Sequence, residues 1–517
     1  MHRRGLPETP LPGFREPRRV WVFTLMFSVI PHLRNARLMR RLVRSSLIMN
    51  PRPFLLISVL GIGLGGCVHF VNEPIKPEET AAVFDRRNLG DPGLLSFLNA
   101  NNLPTAPDQG WDVDRLTFAA FYYQPALAEV RGHLAATRAA IKTARQVPNP
   151  NLTITPSYDR QPTDAPTPWS LQPVSFDVPI ETMGKRRYRT EQAQHIADAE
   201  AWNLNAGIWQ VRVKVRASLL TLYIASERRG ALGSQASSQS EVARLMEGQM
   251  QAGALSGYEL TQARIGFAAQ RLAAQDGAAL YAQALTDLAN TVGVPRAALE
   301  QAKFSFASFQ SMPPPLDVRA LRAEALRNRA DVQAALAQYA AAQSTLQLEI
   351  ANQYPDIHLG PAYQWNANQL NDNMYQLAIS FNLPIFNHNQ GPVAEALAKR
   401  KEAAAHFLTV QATAISEIDG AIAAYAVAMS GSRVAETLAV QLQSRRRSTA
   451  AMERVGEVDP LTARTAEVEY YNGVLMRLDA LSRAQLAYGT LEDALENPAA
   501  LSESARRAAA QSPSLNP

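Results

Sequence analysis

Apolar positions along this chain follow two periods, and the periods change in the same order twice. Ile208, Val211, Val215, Leu219 and Leu222 step by three and four, as do Ile415, Ile418, Ile422, Tyr425 and Met429. That is the spacing of one helical face and of a coiled-coil seam. No Pro interrupts residues 184 to about 250, or the stretch from Pro392 to about Val455. Each seam therefore predicts a rod of roughly 65 residues, about 100 Å long. Ahead of each rod the period falls to two. Leu152-Thr153-Ile154-Thr155-Pro156-Ser157-Tyr158 and Val174-Ser175-Phe176-Asp177-Val178 alternate in the first copy. In the second, Ile357, Leu359, Tyr363 and Trp365 share one face, and Tyr375, Leu377, Ile379, Phe381 and Leu383 another, opposite Gln376, Ser380 and Asn382. Period two marks strands.

The recurrence is an internal duplication. Asn149-Pro150-Asn151-Leu152 returns as Tyr354-Pro355-Asp356-Ile357, and Asp177-Val178-Pro179-Ile180 as Asn382-Leu383-Pro384-Ile385, both 205 residues on (355 − 150). The offset is read as 207 from Gly184 and Gly391 down the next helix, implying a longer turn in the second copy, and as 203 at Gly253 and Gly456. Each copy runs helix, strand, strand, long helix, turn, helix. The first helix is expected over about Val113 to Arg145, ending at Pro148 and Pro150, which cannot donate to its ladder.

The strand runs span about nine to eleven residues, enough for a tilted strand to cross a bilayer, and end in aromatics (Tyr158, Trp169, Trp365, Tyr375) that suit an interfacial girdle. A half-buried soluble sheet would alternate in the same way; the secretion signal described below and the long flanking helices favour the membrane reading. Four strands leave two open edges, which lipid does not tolerate, so closure requires further copies of the chain. Two copies give eight strands with an interior filled by side chains and three give twelve with room for a pore; Ser175, Asp177, Gln376, Ser380 and Asn382 suit a wet lumen. The fold class is mainly α with a small β part.

Composition narrows the functions. The formal charge of +5 over 517 residues comes without a dense basic patch beyond Lys185-Arg186-Arg187 and Arg445-Arg446-Arg447, so nucleic acid is not an expected partner. No run of 18 apolar residues follows residue 70, which leaves strands to cross any membrane. The eight His have no metal-ligand spacing on one helix face, and no catalytic constellation stands out. Neither a resident cofactor nor an enzymatic activity is expected. The one Cys, Cys67, follows the apolar run Phe54 to Gly66. Read from Met49, this is a secretory signal with a basic start and a small-residue cleavage site.

Leu64-Gly65-Gly66-Cys67 resembles a bacterial lipobox, with Cys67 as the acylated first residue; an ordinary signal peptide or a buried free Cys are the alternatives. A start codon assigned too far upstream would explain residues 1–48. Val68 in place of Asp after Cys67 is compatible with sorting to the outer membrane. Asn382-Leu383-Pro384-Ile385-Phe386-Asn387-His388-Asn389-Gln390-Gly391 looks like the strand-to-helix signature of the TolC-type outer-membrane efflux family. Asn328-Arg329-Ala330-Asp331-Val332, leading to Tyr354-Pro355-Asp356, resembles that family's second-repeat entry. The resemblance implies a homotrimer with a twelve-strand barrel in outer-membrane lipid and a helical tunnel across the periplasm. It also implies docking to a periplasmic adaptor and an inner-membrane pump of the RND type. Pro179-Ile180-Glu181-Thr182-Met183-Gly184-Lys185-Arg186-Arg187 is similar to the heavy-metal cation branch, placing such cations slightly ahead of drugs or solvents as cargo. A duct for type I protein secretion, or a periplasmic coiled-coil adaptor or scaffold, are the alternative readings.

On this reading residues 1–66 are an extension and signal peptide (signal 49–66), 67–112 an extended segment, 113–300 the first repeat, 301–316 a linker, 317–497 the second repeat and 498–517 a disordered tail. The turns at Gly253 and Gly456 form the periplasmic tip. Glu259 matches one acidic position of the family's aperture. The second copy carries Thr462, Arg464 and Thr465 where acids are expected, with Glu457 and Asp459 nearer the turn. These six are the aperture candidates; a solvated helix end, where acids favour an N-terminus, is the alternative.

Overall fold

Proline and glycine set the boundaries of nearly every element in the computed structural model, which describes residues 70–103, 110–158, 169–311, 318–365, 373–496 and 502–511. Cys67, the signal segment and the N-terminal extension lie outside the described residues. The chain divides into a unit ending at Pro74 and one running from Ile75, and the elements below belong to the second.

In chain order these are α1 (Pro77–Asp85), α2 (Pro92–Ala100), α3 (Val113–Tyr123), α4 (Pro125–Arg145), β1 (Asn151–Thr153), β2 (Pro156–Tyr158), β3 (Trp169–Ile180), α5 (Lys185–Gln251), α6 (Gly257–Val292), α7 (Ala297–Glu300), α8 (Ala307–Gln310), α9 (Val318–Asn328), α10 (Ala330–Ala351), β4 (Ile357–Trp365), β5 (Asn373–Ser380), α11 (Gln390–Arg454), α12 (Pro460–Leu495) and α13 (Glu503–Gln511). The duplication is literal. α3 and α9 have 11 residues each, α4 and α10 have 21 and 22, α5 and α11 have 67 and 65, and α6 and α12 have 36 each.

The single helix expected over Val113–Arg145 is two. Pro125 starts α4, and Gln124 before it is extended (φ −75, ψ 115), because a proline ring disfavours the helical region for the preceding residue. Arg329 makes the matching break in the second copy (φ −56, ψ 133). Both hinges are clamped to the far end of the returning helix. Gln124 Nε2 donates to the Thr291 carbonyl at 2.9 Å, and Arg329 Nη1 to the Ala494 carbonyl at 2.9 Å. Each clamp satisfies a carbonyl that a helix C-terminus leaves free.

The segments beside the repeats are more ordered than their composition suggests. Residues 77–100 form α1 and α2 instead of running extended, since Pro77 and Pro92 occupy first-turn positions where a missing N–H costs nothing. Asp91 caps α2 by accepting from Gly93 and Leu94 N–H, and Leu94 and Leu98 are fully buried. The 301–316 stretch contributes Phe309, also fully buried, and Trp111 pairs in parallel with Phe304. The tail expected to be disordered contains α13, whose Ala505 and Ala509 enter the main core; two alanines four apart let it approach its neighbours closely.

The sheet is antiparallel, in the order β1-β3-β4-β5, with β2 also pairing β3. The single run expected over Leu152–Tyr158 breaks after Thr153 and resumes at Pro156, a first-residue position where a proline's missing N–H is tolerated. Downstream of β5, Ile385 N–H donates to the Leu383 carbonyl at 2.8 Å, a three-residue turn around Pro384 that ends the extended run. The second rod then begins at Asn389 (φ 60), the counterpart of Gly184 (φ 73). Both are left-handed N-caps 205 residues apart, so the longer turn expected at Gly391 does not exist, and Gly391 is inside α11.

α5 lies at the centre of the helical packing, touching α3, α4, α6, α10 and α12, whereas α11 touches α9, α10 and α12. Ile208, Val215, Leu219 and Leu222 are buried as the seam predicts, with Val211 partly so; in the second copy Ile418 is buried and Ile415, Ile422, Tyr425 and Met429 partly so. α11 also contains an 18-residue window apolar enough for a membrane span by composition, although no uninterrupted apolar run exists; only 17% of that window is buried.

Candidate functional site: the sheet and the helical tip

Side chains alternate along a strand and direct cross-strand partners share a face. The register therefore assigns both faces of the sheet. Ser175 pairs with Ala362, Ala362 with Gln376, and His358 with Ser380. Asp177 belongs to the same face and its Oδ1 is 2.9 Å from His358 Nδ1. Val174, Tyr363 and Tyr375 line the opposite face, as do Val178, Leu359 and Ile379, with the Tyr363 and Tyr375 rings 5.2 Å apart. Four of the five expected lumen residues, Ser175, Asp177, Gln376 and Ser380, are thus brought together. Asn382 is not, because β5 ends at Ser380. On the apolar face Tyr375, Leu377 and Ile379 are 81%, 66% and 63% exposed, a surface that water does not favour.

The junction between sheet and rods is pinned by Asp356. Its Oδ1 accepts from Thr182 N–H at 3.0 Å and from Lys185 Nζ at 2.8 Å, while Lys185 also donates to the Tyr354 carbonyl at 2.7 Å. Burial works against the Asp356 charge, but Lys185 and the Thr182 N–H outweigh it and hold this carboxyl below its ordinary range. Arg189 joins Glu181 to the Ala144 carbonyl at 2.6 and 3.0 Å. Thr182 and Lys185 therefore fasten the end of β3 to the start of β4, and Glu181, through Arg189, to the end of α4.

At the other end of the rods, Gly253 (φ 74) and Gly456 (φ 79) are left-handed. Ala254 N–H reaches the Gln249 carbonyl and Glu457 N–H the Met452 carbonyl, both at 2.9 Å, closing equivalent helix C-caps. A Cβ at either glycine would meet nothing within 4 Å, so conformation alone selects glycine.

Most of the aperture candidates have local partners. Glu259 forms a capping box with Ser256, accepting from its N–H at 2.9 Å and its hydroxyl at 2.7 Å. The Ser256 hydroxyl and then its N–H hold the Glu259 carboxyl below its ordinary range. Asp459 caps α12 through Thr462 N–H at 2.6 Å, and Thr465 bonds back to the Leu461 carbonyl at 2.8 Å. Arg464 bridges Glu467 and Glu453 at 2.9 and 3.0 Å. Glu457 is exposed at the turn itself.

Two ionic clusters built on buried arginines lie outside the sequence expectations. Arg216 donates to the Gln485 side chain at 2.9 Å and lies 3.4 Å from Glu492, with Arg212 at 3.8 Å from the same carboxylate. Arg329, 7% exposed, holds Asp331 and Glu417 at 2.7 Å each. The signal for the first was an Arg pair, 212 and 216, interleaved with an apolar seam.

A family model described as "Outer membrane efflux protein" matches residues 121–294 and 321–497, one match within each copy of the duplicated unit. The chain belongs to the outer membrane efflux protein family. Family members are transport ducts rather than enzymes. The cobalt-zinc-cadmium resistance protein CzcC of Cupriavidus metallidurans is 26% identical over 284 residues, covering 54% of this chain and 65% of that protein; the match thus spans just under two thirds of the relative's length. Among solved structures, the outer membrane protein VceC of Vibrio cholerae aligns at TM-score 0.61 and 18% identity over 74% of this chain and 95% of that one. CusC aligns at 0.60 and 18% over 74% and 91%, and the outer-membrane channel OprN at 0.61 and 16% over 84% and 98%. These share the duplicated helix-and-strand fold.

Proposed function

We propose that this chain is the outer-membrane channel subunit of a tripartite efflux system. Three copies form the passive exit duct for divalent heavy-metal cations, driven by an inner-membrane pump of the RND type and joined to it by a periplasmic adaptor. The observation that carries the duct is the amphipathic sheet with two open edges: its exposed apolar face matches lipid, its polar face a wet lumen, and each edge pairs with the opposite edge of a neighbouring copy. Trimerisation also covers α11, where a groove of about 830 Å³ between α11 and α12, lined by Val427, Val434, Leu438 and Met476, receives a neighbouring copy. The cargo class rests on the resemblance to CzcC, whose name gives cobalt, zinc and cadmium. The protein is anchored in outer-membrane lipid by acylated Cys67 as well as by its strands.

At the tip, the acids repeated by threefold symmetry form a negative ring that favours cations. Glu457, free of a cap, contributes most, and Glu259 and Asp459 act from their caps. Purified protein reconstituted in a planar bilayer tests both levels. A heat-modifiable trimer with ohmic, cation-selective conductance is expected, and host cells lacking the gene become sensitive to zinc, cobalt and cadmium. Recovery as a soluble monomer without detergent would point to an adaptor or scaffold; unchanged metal tolerance would move the cargo to another class.

A further inference from the structure

Among the described histidines, His358 has its ring nitrogen at hydrogen-bond distance from a carboxylate, 2.9 Å from Asp177. His133 and His195 lie farther from their acids, at 3.5 and 3.9 Å, on exposed helix surface. An ionised Asp only accepts, so the Nδ1 proton of His358 faces Asp177, and in the neutral imidazole Nε2 keeps its lone pair. This is the arrangement in which a carboxylate orients an imidazole and raises its basicity toward a metal. On this face His358 pairs directly with Pro179 and Ser380, and the next position along the strand, Gly360, has no side chain and pairs with Ala378. The ring is 37% exposed, and it lies at the helix-proximal end of the polar face, one residue into β4 and opposite Ser380.

We infer that His358, oriented by Asp177, is a weak transit site for divalent transition-metal cations at the junction of barrel and tunnel. The inference rests on the duct reading, which makes this face lumenal. A single imidazole ligand per protomer, with water completing the coordination shell, binds borderline cations such as Zn²⁺ but releases them readily. A conduit needs that balance, since a site must be attractive enough to enter and weak enough to leave. The barrel would carry three such sites, too far apart across a twelve-strand lumen to chelate one ion together.

The test is a zinc titration of the reconstituted full-length channel, reading current in KCl, with equilibrium dialysis of Zn²⁺ on the same preparation. Wild-type current is expected to fall reversibly with zinc. His358→Ala and His358→Gln, the second retaining a donor toward Asp177, should abolish the response. Asp177→Asn should weaken it by roughly 10- to 100-fold. His133→Ala combined with His195→Ala should keep it. A zinc response that survives both His358 variants, or a wild-type channel that conducts KCl without responding to or binding zinc, overturns the site while the duct stands. A wild-type protein with no KCl conductance overturns the duct reading itself.

Discussion

α5 and α11 are the same helix twice, 67 and 65 residues long, yet twenty residues of α5 are buried and seven of α11. α5 carries large apolar side chains at its contacts, Ile208, Leu219, Leu220 and Leu222, and is enclosed on several sides. The buried positions of α11 are mostly small, Ala414, Ala421, Ser432 and Ala439, spaced by seven, eleven and seven residues, while Val427, Val434 and Val440 are exposed. Duplication preserved the backbone and divided the work. One rod is the core of the protomer, and the other leaves most of its surface uncovered within it. The hinges show the same division: Gln124 clamps the first with a neutral hydrogen bond, Arg329 the second with a charged network.

That contrast breaks most easily in the core. Leu219→Ala should destabilise the protomer by about 2–5 kcal/mol, as a full cavity does, whereas Ile415→Ala, on a half-covered position, should cost about 1 kcal/mol or less; thermal loss of helicity by circular dichroism compares them. At the hinges, Arg329→Ala should cost about 2–3 kcal/mol, because it strands Asp331 and Glu417, which are partly exposed and so moderate the loss. Gln124→Ala should cost about 1 kcal/mol by the same measurement.

The C-caps differ as well. Gly293 ends α6 at φ 87, and Glu496 ends α12 at φ 42. Burial pushes the Glu496 carboxyl up to about 6 from an ordinary 4.5, against the opposing hydrogen bond from Ala330 N–H. Its neutral form suits the folded chain, so its contribution is complete below about pH 4.5 and is lost as pH rises through about 6. Glu496→Gln should therefore raise stability at pH 8 by about 1–2 kcal/mol and leave it unchanged at pH 4; melting curves at both values check the sign. A comparably small effect is expected at the tip. Gly253→Ala and Gly456→Ala, both left-handed and both open, should each cost about 1 kcal/mol, and equal values would show that the two copies are alike there.

The rods and the duplication were legible because Pro-free seams and repeated prolines leave marks at fixed spacing. Strand faces were legible because alternation survives any register that keeps its parity. Pro125 marks the break after Gln124, but a proline also occurs at kinks inside longer helices, and Asn389 takes the left-handed conformation that glycine usually occupies, which makes Gly391 the more conspicuous residue. Ser256-x-x-Glu259 is a readable capping signature. What the chain could not disclose were contacts between distant residues. Asp177 and His358 are 181 positions apart, and Arg329 meets Glu417 88 positions away; only the strand register and the helix packing bring them together.

The central claim is that the polar face of the sheet lines a water-filled lumen and the apolar face meets lipid. Single cysteines at Gln376, Ser380, Leu377 and Ile379, in a background lacking Cys67, can be treated with a bulky hydrophilic thiol reagent while current through the reconstituted channel is recorded. The account predicts that Gln376→Cys and Ser380→Cys react and reduce the current, while Leu377→Cys and Ile379→Cys do neither. Reaction and block at 377 and 379 with 376 and 380 protected, or no alternation at all, would contradict it.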